Sequence, residues 1–174
     1  MLQFIRHYLL AVQFFTRLPV TGRLADWVGF SPAMLRASAA HFPGVGWLVG
    51  SLVGGFTWTL LHLLPASPYA PLVAAVLGTV LSVLITGAFH EDGLADLADG
   101  LGGTQNRVRA LEIMKDSRVG AFGAIAMALV LLTKVALLAL LGSLPSADSY
   151  LLLCLAIFAA HVVSRTWPLI IIRL

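Results

Sequence analysis

The fold is decided by the stretch GAFGAIAMALVLLTKVALLALL at residues 120–141, in which Lys134 is the single ionisable residue. An α-helix needs about 20 apolar residues to cross the hydrocarbon core of a bilayer. Three further stretches reach that length: 44–64, 70–90 and 149–172. Hydrophobic residues make up 59% of the chain and charged residues 11%, whereas soluble domains carry about 25% charged residues. The sequence therefore predicts an all-α, polytopic transmembrane helix bundle that forms one integral membrane domain, 1–174.

Two of these stretches carry ionisable residues at membrane depth. Lys134 lies near the middle of 120–141, where we expect it to have a structural partner inside the bundle. The stretch 149–172 contains four residues that interrupt its apolar run: His161, Ser164, Arg165 and Pro168. His161 and Arg165 are four apart and share one helix face. This segment is therefore predicted either to be kinked or to line a polar cavity.

The basic residues predict the orientation of the spans. Most of the 11 Lys and Arg precede the first span or separate the second from the third: Arg6, Arg17, Arg23, Arg36, Arg107, Arg109, Lys115 and Arg118. The connections 65–69 and 142–148 contain none. Because Lys and Arg are enriched in cytoplasmic loops, we expect the N-terminus and the 91–119 loop in the cytoplasm. The net charge of +3 comes without a basic cluster interleaved with aromatic residues, so no nucleic-acid partner is expected.

The N-terminal region is predicted to lie on the membrane surface. Residues 2–18 are too short and too interrupted to span, and their apolar residues recur at helical spacing: Phe4, Ile5, Leu9, Val12 and Phe15. This pattern favours an interfacial amphipathic helix. Ser31 and Pro32 then mark the N-cap and first residue of a short helix, which should end near His41, before Pro43. In the first span, glycines favour close helix packing at positions 44, 46, 50, 54 and 55.

The acidic residues are concentrated in the loop after the second span. Six of the eight lie there: Glu91, Asp92, Asp96, Asp99, Glu112 and Asp116. If the second span continues as a helix past His90, the three aspartates at 92, 96 and 99 fall within a sector of about 60°, and Glu91 points roughly 100° away from Asp92. Carboxylates stacked on one face repel one another unless a cation neutralises them. Mg²⁺ prefers carboxylate oxygen and accompanies substrate phosphates, so a helical cytoplasmic loop carrying a magnesium site is predicted.

A second polar cluster, Lys115-Asp116-Ser117-Arg118, precedes the third span as the acidic segment follows the second. Both clusters should therefore lie at the same membrane surface. Lys and Arg beside a carboxylate–metal site are suited to a pyrophosphate-bearing substrate. The simpler alternative is a solvated loop whose aspartates cap helices and pair with Arg107 and Arg109.

Four motifs of the chain fit one family. His-x-Asp-Gly-x-x-Asp-x-x-Asp-Gly occupies 90–100, and Glu-Ile-Met-Lys-Asp-Ser-Arg-x-Gly occupies 112–120. Phe-Phe-Thr-Arg-Leu-Pro-Val lies at 14–20 and Phe-Pro-Gly-Val-Gly at 42–46. From Phe4 to Arg165 the chain resembles the cobalamin-5'-phosphate synthase family, whose members are also called adenosylcobinamide-GDP ribazoletransferases. The aspartate pattern alone is also similar to that of the CDP-alcohol phosphotransferases.

The resemblance implies the last assembly step of the cobalamin nucleotide loop, in a bacterial or archaeal cytoplasmic (inner) membrane. α-Ribazole or its 5'-phosphate would attack the phosphate linked to cobinamide in adenosylcobinamide-GDP, and GMP would leave, with Mg²⁺ required. The implied partners are these two substrates and the lipid bilayer, and self-association as a homo-oligomer is left open. Members of the family run longer, with further spans and a late Gly-Asp-x-x-Gly-Ala segment that has no match in this chain.

The resemblance also implies roles for individual residues. Asp92, Asp96 and Asp99 would bind the metal and take part in catalysis, and one of them or Asp116 would be the general base. Lys115 and Arg118 would hold substrate phosphate, and His90 would contact substrate. Arg165 is a further candidate for phosphate binding because of its polar position in the fourth span. This assignment fits an in-line displacement at a pyrophosphate, in which a metal neutralises the leaving group and a carboxylate orients the attacking hydroxyl.

Two other functions remain as alternatives. A CDP-alcohol phosphotransferase that makes phospholipid would need a Gly-x-x-x-Asp-x-x-x-Asp continuation, which does not follow Asp99. A transporter or cation channel would use Lys134 and Arg165 as pathway residues. Against that function, the acidic cluster lies at the end of a span, and the sequence shows no evident pair of broken helices.

Overall fold

The computed structural model describes residues 1–173, and the side chains as far as Ile171. All secondary structure within these residues is helical: α1 (Leu2–Phe15), α2 (Arg23–Val28), α3 (Pro32–Ser38), a 3₁₀ turn (Ala39–His41), α4 (Phe42–Leu63), α5 (Ala70–Thr86), α6 (Phe89–Gly103), α7 (Arg107–Ile113), α8 (Ala121–Gly142) and α9 (Ser149–Arg173). The predicted all-α fold is confirmed.

Three helical runs are long and apolar enough to cross a membrane, namely Pro32–Leu63, Ala121–Gly142 and Ser149–Ile171. A fourth crossing is obtained if the bent pair α5–α6 counts as one span. The predicted spans 120–141 and 149–172 therefore match α8 and α9 closely. Along α8, large apolar side chains such as Ile125, Leu129 and Leu132 are more than half exposed, as suits a helix that faces lipid.

The second predicted span, 70–90, differs from expectation, because the helix breaks at Gly87 and Ala88, before His90. Helix α5 ends at Thr86, and Gly87 and Ala88 both adopt positive φ angles of 64° and 59°. Helix α6 then leaves at 87° to α5. Two successive left-handed residues interrupt the helical hydrogen-bond ladder, at a cost of about 1–2 kcal/mol for the non-glycine residue. The expectation that no broken-helix pair is present was wrong.

Arg17 stabilises this bend. Its backbone N–H donates to the Ile85 carbonyl at 2.7 Å, one of the carbonyls that the end of a helix leaves without an intrahelical partner. A Cβ at Gly87 would collide with the Arg17 side chain. Gly87 is thus required both by its left-handed conformation and by the arginine that lies over it.

Helices α4 and α9 pack with their backbones close together. A Cβ at Gly46 would lie 2.6 Å from the His161 carbonyl oxygen, and one at Gly50 would lie 3.0 Å from that of Phe158. The predicted role of the first-span glycines in packing is confirmed at these positions, whereas Gly55 faces open space. The close approach directs the His161–Arg165 face of α9 toward the interior, where Arg165 is 2% exposed.

The N-terminal part of the chain packs beside this pair. The predicted helix start is confirmed, since Ser31 Oγ accepts the Met34 amide at 3.1 Å and Pro32 opens α3. The predicted end near His41, before Pro43, also agrees with the structure, since α3 ends at Ser38 and the 3₁₀ turn at His41, although α4 then begins directly at Phe42. In α1, Val12 and Phe15 are buried, whereas Phe4 and Ile5 are exposed. The interfacial position of α1 stays a prediction.

Candidate functional site

Helix α6 carries the whole motif at 90–100, which we call the acidic segment. The three aspartates of this segment differ in exposure. Asp92 is exposed, Asp96 is partly buried, and Asp99 is 8% exposed. Asp92 and Asp96 are one turn apart and therefore lie on the same side of α6. We call these two residues the outer carboxylate face.

Asp99 caps the third transmembrane helix. Its two carboxylate oxygens accept the amides of Gly120 (2.7 Å) and Gly123 (2.8 Å) at the start of α8. The first amides of a helix have no intrahelical partner and carry the positive end of its dipole, so a carboxylate is favoured there. A Cβ at Gly120 or Gly123 would meet the same carboxylate. Asp99 thus caps a helix, as the simpler alternative expected of the loop aspartates, and its role as a metal ligand stays a prediction.

The three predicted metal ligands are not gathered into one closed ligand set. Among the residues described, no group of three His, Cys, Asp or Glu side chains is placed to hold a metal ion. The outer carboxylate face supplies the donor type, carboxylate oxygen, that open Mg²⁺ sites in phosphate chemistry use, and magnesium binding stays a prediction. In such sites one or two carboxylates hold the ion, and substrate phosphates and water complete its shell.

The 115–118 cluster adjoins the far end of α6. A Cβ at Gly100 would lie 2.5 Å from the Met114 side chain and 3.1 Å from the Ala110 carbonyl, so α7 packs on this part of α6. The turn after α7 leads to Gly120, whose amide Asp99 binds. Lys115 and Arg118 are exposed, which leaves Lys115 accessible to a phosphate group.

Asp116 and Arg118 form an ion pair on this turn. The Arg118 Nη2–Asp116 Oδ2 distance is 2.5 Å and Nε lies 3.0 Å from Oδ1. Hydrogen bonds from the Arg118 side chain lower the pKa of Asp116 to about 2. A general base works best with a pKa near the working pH, so Asp116 in this pairing is a weak proton acceptor. Arg118 must leave Asp116, at least in part, to bind substrate phosphate with its full donor set.

A second cluster of functional groups lies on the opposite side of α6. Glu91 points away from the outer carboxylate face, as its position on the helix predicts, into a cavity of about 270 Å³ between α4, α5, α6, α8 and α9. Its charged and hydrogen-bonding lining includes Ser82, His90, Glu91, Lys134, His161 and Arg165. We call this space the membrane cavity. Of the two alternatives for the fourth span, a kink or the lining of a polar cavity, the structure supports the second, since His161, Ser164 and Arg165 line this cavity.

Arg165 and His161 are hydrogen-bonded inside this cavity. Arg165 Nη1 lies 3.0 Å from His161 Nδ1 and 2.8 Å from Ser164 Oγ. Because arginine is only a donor, His161 Nδ1 must accept, and its proton is then on Nε2, 3.3 Å from Ser82 Oγ. Arg165 Nε and Nη2 have no partner among the described atoms, nor have His90 Nε2 and Glu91 Oε2.

An aromatic pocket of about 580 Å³ adjoins the membrane cavity and shares His90 and Ser164 with it. Phe14, Phe42 and Phe89 line it, together with Trp167 on α9. Phe14 belongs to the motif at 14–20 and Phe42 to the motif at 42–46. Three of the four sequence motifs therefore meet around His90, beside the bend between α5 and α6.

Sequence reasoning did not bring Glu91 and Lys134 to one cavity. Glu91 was expected only to point away from the aspartate face, and Lys134 was expected to have a structural partner in the bundle or, in a transporter, to line the pathway. The signal that could have indicated this pairing was the presence of both residues: Lys134 is a cation in the middle of a span, and Glu91 is an acidic residue that does not share the face of the aspartates. Without the bend at Gly87, nothing in the sequence brings these two residues together.

The fold and site define a polytopic helical membrane protein whose acidic helix lies between a carboxylate surface and a basic cavity. A model of the family described as cobalamin-5-phosphate synthase matches residues 7–174. The chain belongs to this family, and the resemblance inferred from its motifs is confirmed. No solved structure matches the chain.

Curated relatives are similar over the whole chain. A protein named adenosylcobinamide-GDP ribazoletransferase from Albidiferax ferrireducens is 71% identical over 174 residues, which is 100% of this chain and 61% of that protein. Proteins of the same name from Polaromonas naphthalenivorans and Leptothrix cholodnii are 63% and 42% identical, over 99% and 97% of this chain and 65% and 59% of their own lengths. The chain thus spans about three fifths of the curated relatives it matches.

Proposed function

We propose that this chain acts in an adenosylcobinamide-GDP ribazoletransferase, which joins α-ribazole or its 5'-phosphate to adenosylcobinamide-GDP and releases GMP. The observation that supports this most strongly is the 71% identity to a relative of that name, combined with a carboxylate face that fits Mg²⁺. The product is adenosylcobalamin or its 5'-phosphate, so the reaction completes the nucleotide loop.

The chemistry is a displacement at phosphorus. A ribazole hydroxyl oxygen bonds to the phosphorus attached to cobinamide, the bond from that phosphorus to the bridging oxygen breaks, and GMP leaves with the electron pair. The hydroxyl proton passes to a base, for which the carboxylates of α6 are the nearest candidates. Mg²⁺, when bound, neutralises charge on the pyrophosphate oxygens. In this proposal Asp92 and Asp96 hold the ion, and Lys115 and Arg118 orient the phosphate groups.

The proposed location is the cytoplasmic (inner) membrane, with the N-terminus and the 91–119 loop facing the cytoplasm. The distribution of Lys and Arg supports this orientation. Adenosylcobinamide-GDP and α-ribazole would then reach the outer carboxylate face from the cytoplasm.

Cysteine labelling tests this orientation at two exposed positions. Gln105 lies in the connection between α6 and α7, and Ala147 lies in the connection between α8 and α9. The thiol introduced by Gln105→Cys should react with a membrane-impermeant maleimide only after cells are permeabilised. The thiol introduced by Ala147→Cys should react in intact spheroplasts. The opposite pattern would reverse the proposed orientation.

Turnover by the purified full-length protein tests the proposed activity. With adenosylcobinamide-GDP, α-ribazole and Mg²⁺ we expect GMP release and a product whose mass equals the two substrates minus GMP. Asp148→Asn is the matched control, since Asp148 is an exposed aspartate in the loop between α8 and α9. Absence of both GMP and the joined product from reactions of the wild-type full-length protein would overturn the proposal.

One observation favours a second candidate, a cation transporter. The bend between α5 and α6 interrupts an apolar span, as discontinuous helices do at the binding sites of transporters. Uptake of radiolabelled cation into proteoliposomes, without GMP release, would establish that function in place of the transferase. GMP release without uptake would exclude it.

A further inference from the structure

The membrane cavity contains a buried arginine whose donors are only partly used. Arg165 is 2% exposed, yet its Nε and Nη2 groups have no hydrogen-bond partner among the described atoms. Both groups belong to a residue that lines the cavity. A buried charged donor without a partner is costly, and such groups are expected to be paired or to bind a ligand.

The charges around this cavity do not balance. Arg165 and Lys134 are cations, Glu91 is the carboxylate, and all three line the cavity. The two ion pairs found among the described side chains, Arg109–Glu112 and Arg118–Asp116, both lie elsewhere. His161 accepts from Arg165 through Nδ1 and is therefore neutral. The cavity thus holds two cations against one carboxylate, an excess of one positive charge in a membrane-embedded site.

The remaining space suits an oxyanion. A single water needs only about 10–15 Å³ of such volume, and the cavity offers about 270 Å³. The two unpartnered nitrogens of Arg165 lie on one edge of a planar guanidinium, which is the geometry that grips two oxygens of a phosphate group. His90 Nε2 is also buried and without a partner, and His90 lines the same space.

We propose that the membrane cavity is an anion site that binds a phosphate group through Arg165 and Lys134, separate from the outer carboxylate face. Glu91 weakens this site, because its carboxylate lies in the same space and attracts the same cations. The aromatic pocket joined to it at His90 and Ser164 accommodates the apolar or aromatic remainder of the ligand. Identifying that ligand as the phosphorylated substrate rests on the proposed function, whereas the anion site itself rests on the cavity alone.

Phosphate-dependent thermal stability tests the site without any turnover. The purified full-length protein in phospholipid-free detergent is unfolded at increasing inorganic phosphate, with chloride holding the ionic strength constant. A ligand that binds only the folded state raises the melting temperature. We expect such a rise in the wild type, with apparent affinity weakened about tenfold or more in Arg165→Met and Lys134→Met. Arg107→Met, which removes an exposed cation outside the cavity, should leave it unchanged.

A gain of binding separates this site from simple misfolding. Glu91→Gln removes the competing carboxylate and should tighten phosphate binding about tenfold, whereas Glu112→Gln, at an exposed glutamate, should not change it. A destabilised or misfolded variant cannot bind more tightly. Unchanged or weaker binding in Glu91→Gln would overturn the proposal. So would a phosphate effect that survives Arg165→Met but disappears when Lys115 and Arg118 are both replaced by Met.

Lipid and soluble sources of the phosphate group are separated by adding phosphatidic acid to the micelles. If the lipid abolishes the inorganic phosphate effect in a manner that requires Arg165, the site takes a lipid headgroup. If the phosphate effect persists, the site takes a soluble phosphate, and either result supports the anion site. GMP release is measured on the same samples. GMP release without any phosphate effect would overturn the anion site and leave the proposed function standing. A phosphate effect that requires Arg165, without GMP release, would support the anion site and overturn the proposed function.

Discussion

The two sides of α6 offer opposite environments to residues that are neighbours in sequence. Asp92 lies on the exposed outer carboxylate face, while Glu91 points into the membrane cavity beside Lys134 and Arg165. The first environment concentrates negative charge at a surface, and the second concentrates positive charge in a buried space. One helical step of about 100° therefore separates a site suited to a cation from one suited to an anion. The acidic residues of α6 therefore belong to two sites, one on each of two faces of the helix, and not to a single cluster.

The largest expected effect concerns the outer carboxylate face. Asp92→Asn or Asp96→Asn removes a proposed metal ligand and should lower the rate of GMP release by about 100-fold or more. Asp148→Asn should leave the rate unchanged. The rates are measured with saturating Mg²⁺ and both substrates. Full turnover in both of the first two variants would show that the outer carboxylate face is not the metal site.

The wall of the membrane cavity depends on the close packing of α4 on α9. Gly46→Leu should lower the free energy of unfolding by about 1–3 kcal/mol, because its Cβ would meet the His161 backbone. Gly55→Ala meets nothing within 4 Å and should be neutral or stabilising, by up to about 1 kcal/mol. Thermal unfolding in detergent compares the two variants. Equal stability would mean that α4 and α9 do not pack at this distance.

Asp99 holds α6 to α8, because its carboxylate accepts the Gly120 and Gly123 amides. Asp99→Asn replaces one of its two acceptor oxygens with a donor, so the Gly120 or Gly123 amide loses its partner, at about 1–3 kcal/mol of stability. Asp96→Asn should change stability by less than about 0.5 kcal/mol. The pair is compared by unfolding midpoint. Loss of turnover in Asp99→Asn with unchanged stability would instead support Asp99 as a metal ligand.

The smallest expected effect is that of Asp116. Arg118 lowers its pKa to about 2, so the carboxylate stays ionised in the folded protein until the pH falls through that value. Any stability that it contributes is present above its unfolded pKa and is lost only as the pH approaches about 2. Asp116→Asn should therefore leave the acid limb of the pH–rate profile between pH 5 and pH 8 in place. Disappearance of that limb would identify Asp116 as the general base.

Much of the fold could be predicted from the sequence, because apolar length decides membrane spans directly. The stretches 120–141 and 149–172 and the cap at Ser31 correspond to α8, α9 and the start of α3. The bend at Gly87 could not be predicted in this way. A single glycine at the end of an apolar run is compatible with a straight helix, and the Arg17 contact that stabilises the bend comes from a distant part of the chain.

The candidate site was predicted only in part, because helical periodicity shows which residues share a face of one helix but not which helices meet. Helical periodicity placed Asp92 and Asp96 together and turned Glu91 away, and it placed His161 with Arg165. Periodicity is local, so it does not show which helices meet. The capping of α8 by Asp99 and the arrangement of Glu91 with Lys134 both depend on contacts between helices, and these contacts follow from the bend and from α4–α9 packing.

Direct metal binding tests the division between the two sides of α6 most closely. Mn²⁺ substitutes for Mg²⁺ and can be titrated by electron paramagnetic resonance in the full-length protein with adenosylcobinamide-GDP present. We predict that bound Mn²⁺ is lost when Asp92 and Asp96 are both replaced by Asn, and is retained in Glu91→Gln. Retention of Mn²⁺ in the double variant, or its loss in Glu91→Gln alone, would contradict the assignment of the cation to the outer carboxylate face.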